Sequence, residues 1–143
     1  MFGAKKDNLA RKMVKLFTKT LDQKKIKYDL HDERPVVFLK YQGENFNKLT
    51  FTFFFDDDGH SLSLKVYTIL KFQQDQLASA YIFANEMNKK YRWIRFYIDD
   101  DNELTADIDA VISESTVGEG CYELLSRAVD IVDEVCGILN GND

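Results

Sequence analysis

At 143 residues, 45% hydrophobic and 13% aromatic, the chain is long enough to bury a core and too apolar to be disordered. A net charge of −5 and a pI near 5.1 argue against nucleic-acid binding, because phosphates would meet carboxylates as readily as cations. No stretch approaches the roughly 18 apolar residues of a membrane span, which excludes that class and makes the cytoplasm the expected location.

One proline, seven glycines and the absence of repeats or low-complexity tracts predict a single α+β domain over residues 1–143. Charge is unevenly spread. Residues 1–27 carry nine Lys or Arg against two Asp, whereas residues 97–143 carry thirteen acids against one Arg. Solvated faces of opposite sign on the terminal helices should attract one another, within a subunit or across a dimer.

From Asp7 to about Lys24, Leu9, Met13, Leu16, Phe17 and Leu21 recur at helical spacing, an amphipathic helix suited to docking on a sheet. Polar residues follow, with a short strand at Tyr28–Leu30, then a β-rich run at Val36–Tyr41 and a turn at Gln42–Asn47. In the next strand Leu49, Phe51, Phe53 and Phe55 share one face, and Thr50, Thr52 and Phe54 the other. Its partner is Ser61–Thr68. Pairing Phe55 with His60 across Asp56-Asp57-Asp58-Gly59 sets Phe53 opposite Leu62 and Phe51 opposite Leu64, with Gly59 supplying a positive φ.

Gln73–Lys90 turns helical, with Leu77, Ala80, Tyr81, Ala84 and Met87 inward and Ile82 and Phe83 widening the arc. In Arg92–Asp99, Ile94, Phe96 and Ile98 alternate with Trp93, Arg95 and Tyr97; Glu103–Val111 alternates likewise. Opposed residues share a face, so Ile98 pairs with Leu104, leaving Asp100, Asp101 and Asn102 as the loop, with Asn102 the best left-handed residue. That register sets Arg95 opposite Asp107. Thr116-Val-Gly-Glu119 has the form of a capping box opening a last helix to about Leu139. This helix carries two apolar stripes, one through Leu125 and Val132, the other through Ala128 and Val135. The second needs either another helix of this chain or a twin subunit, and a homodimer is the expectation.

Chemistry-bearing constellations are missing from the sequence. His31 and His60 lie at turns without ligand spacing. Cys121 and Cys136 stand on one helix about 22 Å apart, at ~1.5 Å per residue, and read as buried free thiols. Asp99, Asp101 and Glu103 have the alternation that opens a calcium loop, but Leu104 replaces the turn glycine and Ala110 the closing glutamate. No catalytic residue, cofactor or metal is therefore expected, and the acidic turns are read as solvated. A metal-dependent small-molecule binder or enzyme on those turns is the alternative.

Phe83-Ala-Asn85-Glu-Met87-Asn88 followed by Trp93-Ile-Arg95-Phe96-Tyr97-Ile98-Asp99 resembles the signature of the bacterial YbjN-like family, the sensory-transduction-regulator domains. Asn102 departs from the glycine common in that family's turn. The resemblance implies an α-βββ-α-ββ-α order, an antiparallel sheet flanked by helices in a type III secretion chaperone-like fold, and a small, often dimeric protein without established catalytic residues. The functional expectation is a non-catalytic binding or regulatory module, not an enzyme. A protein or peptide partner would meet the face bearing Trp93, Arg95 and Tyr97, or an exposed strand edge.

Overall fold

The computed structural model describes residues 2–141, with side chains from Asn8 onward. Helix α1 (Phe2–Gln23) is followed by strands β1 (Asp29–Leu30), β2 (Val36–Tyr41), β3 (Leu49–Phe55) and β4 (Ser61–Lys71). A 3-10 turn at Gln74–Gln76 leads into α2 (Leu77–Lys90), then β5 (Arg95–Ile98), β6 (Glu103–Val111) and α3 (Val117–Leu139). The two-residue β1 extends the expected order to α-ββββ-α-ββ-α. All neighbours in the sheet are antiparallel, in the order β1-β2-β3-β4-β6-β5.

Strand alternation divides the sheet into two unlike faces. Leu39, Phe51, Phe53, Leu64, Phe96, Leu104 and Ala106 point one way and are buried in a single core with Phe17 and Leu21 of α1, Ala84 and Met87 of α2, and Leu125 and Val132 of α3. All three helices therefore cover the same face. Phe17 reaches deepest, its ring centroid 4.6 Å from that of Phe53. Among the described residues, the opposite face, from Phe38 through Thr52 and Lys65 to Asp107 and Arg95, carries no helix.

Opposite charges meet where the terminal helices approach. Lys12 of α1 pairs at 2.7 Å with Glu114 in the turn before α3, and Lys24, just past α1, pairs with Glu119 of α3 at 3.4 Å and has its ammonium 4.3 Å from the Tyr122 ring centroid. Close approach depends on Gly118, where a Cβ would collide with the Thr20 hydroxyl. Of the second stripe of α3, Ala128 and Val135 are buried within the chain, whereas Leu124, Ile131 and Ile138 stay partly exposed.

Four expectations are corrected. The β3–β4 hairpin is paired two residues further along, with Phe55 opposite Leu62, Phe53 opposite Leu64 and Phe51 opposite Val66. A shift of two keeps every side chain on its face, so hydrophobic alternation cannot detect it. What selects the register is the turn: Gly59 N–H donates to Asp56 O at 3.0 Å, Ser61 Oγ donates to Asp56 Oδ2 at 2.7 Å, and Asp56 N–H donates to Ser61 O at 3.0 Å. Gly59 has φ of +73°, and a Cβ there would come within 2.8 Å of Leu9 on α1.

Along α2, Ala80, Ala84 and Met87 turn inward, but Tyr81 and Ile82 are exposed, so the apolar arc is narrower than expected. The capping box does not form: the Thr116 hydroxyl accepts the Ser113 N–H at 3.3 Å and pairs with the Ser113 hydroxyl at 2.8 Å, turning to the preceding turn instead of the helix. Finally, Trp93 stands outside β5, at φ +79°. Only four residues link α2 to β5, and a left-handed residue lets so short a link reverse the chain, a conformation a bulky side chain rarely adopts.

Candidate functional site on the open sheet face

The open face is built from the outward residues of β2 to β6. Its centre is a buried carboxylate, Asp107, whose side chain is 2% exposed. Arg95 donates to both of its oxygens, Nε to Oδ1 and Nη2 to Oδ2, each at 2.8 Å, and Lys65 approaches at 3.9 Å. Hydrogen bonding to Asp107, then its charge, raises the Arg95 guanidinium further above its already high value. Arg95 also lies over the Tyr97 ring, 5.8 Å from its centroid, and comes within 3.8 Å of Asp109. Burial first, then the nearby Asp107 and Tyr67, push the Tyr97 phenol up. A bulge in β4 between Val66 and Leu70, with Thr68 at φ +57°, breaks the ladder there and leaves Tyr67 46% exposed.

Of the three residues expected to form a partner surface, Arg95 and Tyr97 therefore share the open face. Trp93 does not follow their alternation. The residue is 61% exposed, and its ring centroid lies 5.4 Å from the Arg92 guanidinium and 5.7 Å from that of Arg127 on α3. Neither open edge is a long bare strand. Beyond β1 there are only two residues to pair, and at β5 the Asn88 side chain donates to Phe96 O at 2.9 Å and accepts the Phe96 N–H at 2.7 Å. In this register the amide and carbonyl of Phe96 point away from β6, and Asn88 takes the place of a neighbouring strand.

Several residues of this face were not singled out by the sequence. Phe38 and Phe54, both half-buried, line a shallow groove with Lys48, Thr50, Thr52 and Tyr67. The signal was present in the alternation that put Phe54 with Thr50 and Thr52, a large apolar residue where a solvated face would carry a polar one.

The acidic turn forms as expected, with Ile98 opposite Leu104 and Asn102 at φ +62°. One carboxylate oxygen each of Asp99, Asp101 and Glu103 lies within 4.8 Å of the others. Asp99, however, is already engaged by three donors: its Oδ1 accepts the N–H groups of Asp101 and Glu103, and its Oδ2 accepts the Thr105 hydroxyl. Burial alone would push this carboxyl up, but these hydrogen bonds outweigh it and hold the group below the usual carboxylate range. His31 Nδ1 accepts the N–H groups of Glu33 and Arg34, both at 3.0 Å, fixing the turn before β2. His60 is exposed in the β3–β4 loop. Both cysteines are buried and free; burial pushes the Cys121 thiol up to about 12, and burial with Asp133 pushes Cys136 up to about 11.

These elements define an α+β protein whose antiparallel sheet is covered by helices on one side and bare on the other. The chain belongs to the YbjN family, described as "Putative bacterial sensory transduction regulator", whose model matches residues 14–136. Its fold is also that of a solved structure, "Crystal structure of YbjN, a putative transcription regulator from E. coli", with a TM-score of 0.67 at 12% identity over 90% of this chain and 91% of that one. Comparison with curated proteins finds no match. Among the described residues no helix is long and apolar enough to cross a membrane.

Proposed function

We propose that the chain is a non-catalytic regulatory module that binds a protein or peptide partner on the bare face of its sheet, with Arg95 and Tyr97 at one end of the contact and Trp93 as a neighbouring anchor. The observation that carries this reading is a helix-free face on which aromatic rings stand half-exposed beside charged groups. A face serving solvation alone would not retain them. The family's description as a regulator points the same way. Trp93 adds support of a different kind, since a bulky residue at positive φ is a strained conformation of the type that clusters at binding sites. Face-on docking is favoured over addition to an edge because Asn88 already occupies the outward groups of Phe96.

The alternative built on the acidic turns is not favoured, because Asp99 is committed to three internal donors. Cytoplasmic residence suits two buried free thiols. Self-association belongs to the proposal through the family resemblance, and a monomeric mass by light scattering at micromolar concentration would remove that part.

The test is affinity capture from native lysate with the wild-type chain and with Trp93→Ala, Arg95→Ala and Tyr97→Ala. The wild type should retain a partner that the folded variants lose; partners retained equally by all would overturn the assignment of this surface.

A further inference from the structure

The bare face is not electrically uniform, and its charge identifies the kind of segment it accepts. Two shallow grooves meet at Phe38: one is lined by Lys25, Lys27 and Lys40 with Tyr28, the other by Lys48 with Phe54 and Tyr67. Within these two grooves the four lysines are set against Asp22 and Asp29, and Asp22 accepts the Tyr28 hydroxyl at 2.9 Å; Glu33, Asp56 and Asp57 line a third groove that shares Phe54 and also holds Arg34. Lys27, Lys40 and Lys48 are exposed and form no ion pair among the described residues, whereas Lys65 and Arg95, further along the face, are held by Asp107. A chain with net charge −5 thus carries a locally positive strip with an aromatic floor.

We propose that this strip receives an acidic, extended peptide segment, lying face-on across β2 and β3 with its carboxylates toward Lys40 and Lys48 and its apolar side chains against Phe38, Phe54 and Tyr67. The proposal rests on the partner-binding reading above and names the partner's chemistry. An incoming carboxylate displaces no internal partner of these lysines, so the attraction is not offset by a broken pair, and exposed cations at a rim act chiefly on selection and encounter rate. An extended peptide fits better than a single-stranded nucleic acid. The latter needs open ring faces on which bases stack, whereas Phe38 and Phe54 are half-buried between strands and Tyr67 alone of the three is exposed.

The experiment is fluorescence anisotropy with the full chain and three labelled probes: a peptide of about 12 residues alternating Glu and Val, its Lys–Val counterpart, and oligo-dT of similar length. The Glu peptide should bind at least about tenfold more tightly than the Lys peptide at low salt, and progressively more weakly as salt is added. Lys40→Glu with Lys48→Glu should reverse that preference, while the charge-neutral Tyr67→Ser should weaken the Glu peptide without reversing it. Equal binding of the two peptides, binding of neither, or a Glu-peptide affinity indifferent to charge reversal overturns the proposal; tighter binding of oligo-dT replaces it with a nucleic-acid surface. A lysate partner lost with Arg95→Ala and Tyr97→Ala but kept by the charge-reversed chain would overturn the acidic class alone, leaving the partner-binding reading in place.

Discussion

The two faces of the sheet are made by the same strands and differ in almost everything else. On the covered face Phe51, Phe53, Leu64, Leu104 and Ala106 are essentially inaccessible, and three helices close over them. On the bare face the rows alternate hydroxyls, a buried carboxylate paired with an exposed arginine, and half-exposed rings. The contrast teaches that folding uses one face heavily and leaves most of the other open to sequence choice. The half-exposed rings on the second face are the feature that the proposed partner surface accounts for.

That division can be broken at its strong side first. Phe53→Ala, which removes the ring tilted against Phe17, should cost about 3–5 kcal/mol and lower the urea midpoint accordingly. Arg95→Ala is the largest effect expected on the bare face. It leaves the buried Asp107 carboxylate with Lys65 at 3.9 Å and the neighbouring Tyr97 phenol, and should cost about 1–3 kcal/mol, part of which returns in the double variant with Asp107→Asn.

Asn88→Ala opens the outer edge of β5. A loss of about 1 kcal/mol is expected, with faster hydrogen exchange at the Phe96 amide, while exchange at Leu64 remains set by global unfolding. Asp99→Asn is expected to cost about 1 kcal/mol at neutral pH. Because the folded carboxyl is held below its ordinary value, the ionised form contributes stability above roughly pH 4 and loses it as pH falls through the lowered value. The difference between wild type and variant should shrink along that acid limb, and a constant difference at every pH would refute the assignment. Tyr67→Ser should change stability least, by under about 0.5 kcal/mol, yet reduce peptide binding.

How far each face could be read from the sequence follows the same divide. Phe51, Phe53 and Phe55 announce a covered face because period two leaves them no other arrangement, and Ile98 opposite Leu104 follows from matching the faces of two strands. The β3–β4 register escaped because face matching is blind to shifts of two, and the deciding hydrogen bonds of Asp56, Gly59 and Ser61 depend on turn geometry. Trp93 continued the alternation on paper but fell outside the strand, since the tight exit from α2 takes precedence over a local pattern. Arg95 and Asp107 were legible as a cross-strand pair; that Asp107 would be 2% exposed was not, because its burial comes from neighbours on β4 and β5. The groove at Phe38 joins three strands and a loop, and no single window of sequence contains it.

The two buried thiols make the molecule convenient to watch. Both are buried and both are pushed up, so neither is expected to react appreciably with maleimide near neutral pH while the chain stays folded. A Tyr67→Cys replacement would then be the sole labelling point, placing a reporter dye directly on the lysine-flanked strip without removing the native cysteines.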